Sequence, residues 1–303
     1  MKKTIALLLA AAMLLCACAA FADEPRVAPD GGDLIPIEEY PIVDGSTATL
    51  PLSYALMQAF TGCTYEEAHD IIRHTKTDLC FYNMGDGLND LLLVYEPNQA
   101  SLDYLKELEI EIDMRPIGQD ALVFLVPSEN PVTDLTSEQI YDIYTGKITE
   151  WSEIDPALNM PITAYQRPDS SGSQVMMTNL AVPADEITEA PADLYLTEMG
   201  ELIEAIANYE NVPGALGYSV WFYAANMYAL PEVRMVSVNG IAPSAENIEN
   251  KTYPYAQDFY GVIRADAAED SYARRLFNFL LTEQGQQMVR DCGYAGVGIA
   301  EEN

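Results

Sequence analysis

Two short segments of this sequence combine residue types suited to holding an anion. The first is Asp44-Gly45-Ser46-Thr47-Ala48-Thr49, just ahead of Pro51. A glycine followed by hydroxyl residues at a helix start offers free backbone N–H groups and side-chain O–H donors. Such a place holds an anion without net positive charge. The same residues would serve equally if Thr47 or Thr49 did no more than cap the helix. The second segment is Arg167-Pro168-Asp169-Ser170-Ser171-Gly172-Ser173, which leads into another helix start near Ser171. It joins a guanidinium, able to grip an oxyanion through two N–H groups at once, to a hydroxyl-rich turn. Gly172 would let the backbone approach a ligand closely.

A third segment is Tyr95-Glu96-Pro97, at the carboxyl end of the apolar run Leu91–Tyr95. In open α/β sheets ligands collect at that end of the strands. A carboxylate beside an anion is reasonable only if the anion carries a proton to share. Phosphate, with a pKa of about 6–7, does so at neutral pH. Sulfate does not, so Glu96 is expected to accept from the first and repel the second.

Enzymatic readings find less support. The sequence has no Gly-x-Ser-x-Gly elbow, His-Glu-x-x-His pair or phosphate-binding Walker loop. Its two histidines, His69 and His74, are expected within and at the end of a helix and fit no triad order. We therefore expect a binding protein with no catalytic residues, cofactor or metal. A secreted hydrolase working through paired carboxylates is the remote alternative. The 47 acidic against 15 basic residues, a net charge of -32, exclude nucleic acid as a partner. They also make the protein a poor long-range attractor of anions, so any anion site must act by short-range geometry.

The start of the chain reads as an export signal: Lys2 and Lys3, then the apolar run Ile5–Leu15, too short to anchor in a bilayer. Leu15-Cys16-Ala17-Cys18 looks like a lipobox that would lipidate Cys18. Ala20-Phe21-Ala22 also suits ordinary signal peptidase, which would release the protein. The favoured expectation is an extracytoplasmic, lipid-anchored monomer on a polar tether. Cys63, Cys80 and Cys292 have no metal-ligand spacing. They are expected as buried or free thiols, with a Cys63–Cys80 disulfide left open.

Helical and extended patterns alternate, which predicts an α/β architecture. Leu52, Leu56 and Phe60 fall at helical spacing between Pro51 and Gly62; Thr64 with Glu67 and Thr136 with Gln139 form capping boxes. Leu91–Tyr95 and Ala121–Val126 read as buried strands, Arg234–Val238 and Phe259–Arg264 as further strands. One helix is expected over Tyr272–Val289.

From about Tyr40 to the C-terminus the chain resembles the PstS-type phosphate-binding proteins, solute receptors of phosphate ABC transporters. The resemblance rests on Tyr40–Leu52 as a first ligand loop and on Arg167 with Ser171-Gly172-Ser173. Leu135–Trp151 and Pro213–Tyr218 add two packing landmarks. It implies a type II periplasmic-binding-protein fold of two lobes joined by crossover strands near Val126 and Tyr255–Phe259. The implied organisation is a leader over residues 1–22, a tether over 23–38, a discontinuous first lobe over 39–126 and 256–303, and a second lobe over 127–255. Carried onto this sequence, ligand contacts fall to Ser46, Thr47, Arg167, Ser171, Gly172 and Ser173. Thr77 and Glu96 join them where the sequence departs from the family pattern. A Gly/Ser-rich loop expected over His74–Leu79 instead has Thr75, Lys76, Thr77 and Asp78, and Tyr95-Glu96 stands where Ser with Arg or Asp is usual. The implied partners are phosphate or a related oxyanion and a membrane permease. A sensor on the same fold, or one binding a small organic anion, is the alternative.

Overall fold

The computed structural model describes residues 27–208 and 212–297. The expected leader, with Cys16 and Cys18, lies outside the described residues. The first half of the chain runs β1 (Val43–Gly45), α1 (Leu50–Thr61), α2 (Tyr65–Ile71), α3 (Thr77–Gly85), β2 (Leu91–Val94), α4 (Gln99–Glu107), β3 (Ile112–Pro127), β4 (Asp134–Leu135) and α5 (Ser137–Tyr144). Then follow β5 (Thr163–Ala164), α6 (Gly172–Leu180), α7 (Met199–Ala207), β6 (Ala215–Val220), β7 (Val233–Met235), β8 (Ser237–Val238), α8 (Ala245–Glu249), β9 (Ala256–Arg264), α9 (Tyr272–Leu280) and α10 (Glu283–Asp291).

The apolar run at β2 shows why the sheet is buried on both faces. Leu91, Leu93 and Tyr95 enter the large core, whereas Leu92 and Val94 enter a smaller one with Cys80, Phe81, Met84, Leu105 and Val262. Alternate side chains of one strand thus feed two cores, which removes the polar–apolar alternation a half-exposed strand would show. β1 pairs in parallel with β2, β2 antiparallel with β9, and β9 antiparallel with β3.

β3 is the member both halves share. Ile112–Ala121 pairs with β9, whereas Leu122–Leu125 pairs with β6 and Leu125–Pro127 with β7. Beyond it, β5 lies parallel to β6. Two half-sheets, each packed with its own helices, are therefore joined through one continuous strand and the start of β9. This is the two-lobed α/β architecture the sequence predicts. The change of partner falls at Ala121–Leu122, earlier on the strand than Val126.

Local signals account for most helix boundaries. Pro51 stands in the first turn of α1, and Gly62, at φ 75°, ends it in the left-handed conformation. The capping boxes at Thr64 and Thr136 are both formed. Three expectations are corrected. The tail is two helices, because Thr282 accepts from the Gly285 N–H and opens α10. Arg234–Val238 divides into β7 and β8, with Val236 wholly buried between them. The described part of the tether is packed: Ala28 and Ile35 are buried, and Asp30 accepts from Arg275 at 2.7 and 2.8 Å. That guanidinium lowers the Asp30 pKa. Cys63, Cys80 and Cys292 are free thiols.

At the junction, Asp120 of β3 is fully buried. Its carboxylate accepts from the Tyr95 hydroxyl (2.7 Å) on the first half-sheet and from the Phe222 N–H (3.0 Å) beyond β6 on the second. It also accepts from the Ala121 N–H at 2.8 Å. Burial outweighs these three bonds and raises its pKa from 3.8 to about 7. The folded state therefore holds a proton that the unfolded chain releases above pH 4. The stability tied to this group is present below that pH and is lost as pH rises towards 7, on the order of 4 kcal/mol. Denaturant unfolding from pH 4 to 8 should show this fall, and Asp120→Asn should flatten it.

Candidate functional site

The hydroxyl-rich loop after β1 is held from behind. Gly45 must be glycine, since a Cβ there would lie 1.9 Å from the Leu93 carbonyl oxygen. The Ser46 N–H donates to that carbonyl, and so does the Thr49 hydroxyl, at 2.6 Å. His74 Nδ1 donates to the Ser46 carbonyl at 2.6 Å, and its Nε2 lies 3.0 Å from the Ser53 hydroxyl. His74 is thus a support for this loop, not a helix-terminal cation, and burial lowers its pKa. Ser46 caps the short 3-10 turn Thr47–Thr49, which runs straight into α1.

Opposite stands the Arg167 loop. The Arg167 backbone N–H donates to the Tyr218 hydroxyl (3.0 Å), which in turn bonds the Gln174 side chain on α6. Ser171 caps α6 by accepting from the Gln174 N–H. Its hydroxyl lies 3.4 Å from that of Ser173, which is wholly buried in the first turn.

Between the two loops is a cavity of about 190 Å³. It is lined by Ser46, Thr47, Lys76, Thr77, Arg167, Ser171, Gly172, Glu198, Met199, Gly200 and Tyr223. Four helix starts meet there: the 3-10 turn leading into α1, then α3 at Thr77, α6 at Gly172 and α7 at Met199. First-turn N–H groups have no acceptor within their own helix, and their dipoles add. The wall also holds polar groups with nothing to bond. Arg167 is 2% exposed, yet its Nε and Nη1 have no partner; Thr77 is 1% exposed and its hydroxyl is likewise unpaired. Burial lowers the Arg167 pKa, although a guanidinium stays charged at any physiological pH. Buried guanidinium nitrogens without an acceptor are costly, so this cavity is built for an anion.

Of the residues predicted from sequence, Ser46, Thr47, Thr77, Arg167, Ser171 and Gly172 line this one cavity, with Ser173 immediately behind. Glu96 does not. It stands past the end of β2 at Val94 and is exposed on a separate groove with Asn98, Asp169 and Val175. The carboxylate at the cavity is Glu198, which sequence reasoning missed together with Met199, Gly200 and Tyr223. A capping box between Glu198 and Glu201 marks the start of α7. Nothing local shows that this helix points at the cavity.

Known proteins resemble the chain along most of its length. Residues 42–284 match the profile of the PBP superfamily domain. The phosphate-binding protein PstS of Bacillus subtilis is 27% identical over 98% of this chain and 94% of its own. PstS of Borreliella burgdorferi is 24% identical over 84% of this chain and 89% of its own. Among solved structures, a putative phosphate ABC transporter substrate-binding protein with bound phosphate from Clostridium perfringens is 26% identical. It covers 84% of this chain and 98% of its own, with a TM-score of 0.67. An ABC-type phosphate transport receptor from Vibrio cholerae, 21% identical, shares the fold with a TM-score of 0.62, over 83% of this chain and 98% of its own.

Gly172 sits where the two lobes touch. A Cβ there would lie 2.7 Å from the Thr77 hydroxyl and 3.3 Å from the Tyr95 ring. Gly172→Ala should therefore push α6 away from α3 at a cost of about 1–3 kcal/mol. Solution X-ray scattering should report a larger radius of gyration than for the unsubstituted protein.

Proposed function

This chain belongs to the PBP superfamily, and we propose that it is the extracytoplasmic solute-binding component of an ABC importer, with inorganic phosphate as its ligand. The observation that carries this reading is the buried Arg167 guanidinium, two of whose nitrogens are unpaired at a cavity ringed by helix N-termini. A tetrahedral oxyanion supplies oxygens in several directions at once, which suits donors converging from four helices and an arginine fork. The names of the similar proteins, phosphate-binding in both the curated and the solved sets, agree with it.

The proposed contacts are Ser46, Thr47 and Thr77 from the first lobe and Arg167, Ser171 and Gly172 from the second, with Ser173 offering its first-turn N–H. Because both lobes donate, the ligand interacts better with the closed arrangement than with an open one, and that difference drives closure. The closed form then engages a permease, and the protein itself performs no reaction. Selectivity against sulfate falls to Glu198, a carboxylate on the wall that tolerates an anion only if it has a proton to share. Lipidation at Cys18 would keep the monomer beside its permease at the membrane surface. No helix among the described residues is long and apolar enough to cross a membrane.

Titration calorimetry of the leader-free protein, stripped of ligand, should give heat with phosphate at pH 7 and none with sulfate. Arg167→Ala should weaken phosphate by at least about 100-fold, the cost of losing charge-assisted bonds in a desolvated site. Unchanged affinity in that variant would remove the cavity from consideration. Stopped-flow association should quicken as salt is added, because screening over a Debye length of about 8 Å hides the net charge of -32 from the incoming anion.

A further inference from the structure

An ion pair joins the two most exposed charged side chains in the cavity lining. Most lining side chains are buried, among them Arg167, Ser46, Thr77 and Ser171. Lys76 and Glu198 are the charged exceptions, with 40% and 58% of their side chains exposed. Their Nζ and Oε1 lie 2.9 Å apart, although the residues are far apart in sequence and belong to different lobes. Lys76 caps α3 and Glu198 caps α7, so the pair links the starts of two of the four helices that frame the cavity.

The backbone at Lys76 is a second, independent sign that this position is specialised. Its φ of 86° and ψ of 161° lie in a region essentially reserved for glycine. The fold holds a lysine there by two main-chain bonds, Lys76 N–H to the Gly45 carbonyl and Cys80 N–H to the Lys76 carbonyl, both 3.1 Å. Such conformations persist where the surroundings over-determine them, and they collect at ligand clamps. Here the effect is to launch a long cationic arm from the first lobe across the cavity mouth to the second.

We propose that the Lys76–Glu198 pair is a gate across the mouth of the anion cavity, formed only when the lobes are together, that confines the site to free oxyanions and rejects their esters. The proposal rests on the oxyanion reading given above. An ester carries its organic group away from the phosphoryl oxygens. With those oxygens turned to Arg167 and the helix starts, the organic group must leave through the mouth, where the bridge lies. A free oxyanion has no such group and fits behind the closed pair. An exposed ion pair contributes modestly to holding the gate shut, so its loss should speed release roughly two- to fivefold, not abolish binding. Removal of the arm should matter more for ester exclusion than removal of the charge.

The test is a double-mutant cycle on Lys76→Gly and Glu198→Gln, with phosphate and phenyl phosphate as probes. Stopped-flow gives off-rates and calorimetry gives affinities. Lys76→Gly removes the arm and suits the backbone angle, so folding is not at risk. Lys76→Gly should raise the phosphate off-rate by the factor above and Glu198→Gln by at least that much, since Glu198 also faces the ligand; the double variant should fall short of the product of the two single effects. Phenyl phosphate, silent with the unsubstituted protein, should bind Lys76→Gly. Phosphate binding with additive off-rates and undiminished rejection of the ester would overturn the gate alone. An unsubstituted protein giving no heat with phosphate would overturn the oxyanion reading beneath it, and the ester selectivity with it.

Discussion

A buried guanidinium with two nitrogens left unbonded is the constraint around which this molecule is arranged. Desolvating the positive charge of Arg167 costs several kcal/mol unless an anion or an array of acceptors answers it. The protein supplies no such partner at Nε or Nη1. It supplies instead a second lobe whose loops bring hydroxyls and helix starts to the same cavity. The supports follow from that. Tyr218 and Gln174 fix the Arg167 loop, while His74, Thr49 and the Leu93 carbonyl fix the Ser46 loop. Asp120 ties the two halves together where β3 changes partner. A ligand that answers the guanidinium supplies the acceptors that Nε and Nη1 otherwise lack.

Overall charge and local field act at different ranges. With 47 acidic residues the protein repels anions at a distance, yet the cavity wall offers Arg167, Lys76 and four N-terminal dipoles against one carboxylate. Dipolar fields fade within about a turn of helix, and exposed charges are screened beyond about 8 Å in physiological salt. An anion therefore meets attraction only once it has entered the cleft. Geometry sets the affinity, and composition is left free to serve solubility.

Much of this was legible in the sequence because the relevant signals are local. A glycine and hydroxyls ahead of a helix describe their own turn, so Ser46, Thr47 and the Ser171–Ser173 turn could be named from their neighbours. Capping boxes fixed α2 and α5 in the same way. What escaped depends on distant partners. Glu198 and Tyr223 reach the cavity through the packing of α7 and of the turn after β6, which no nearby residue encodes. Glu96 stands just past the end of β2, where the pattern of a strand buried on both faces no longer says which way a side chain points. The break between α9 and α10 rests on Thr282 acting as a cap, which a helical reading of the whole tail passes over.

The packed N-terminal segment has a consequence for where the molecule works. Asp30 and Arg275 fasten the chain to α9, so the stretch from Val27 onward belongs to the folded body and adds nothing to reach. The described chain therefore begins at a point fixed on the α9 side of the first lobe. Any pull applied ahead of Val27 would be borne by a packed surface, and first of all by the Asp30–Arg275 pair, rather than by a free end.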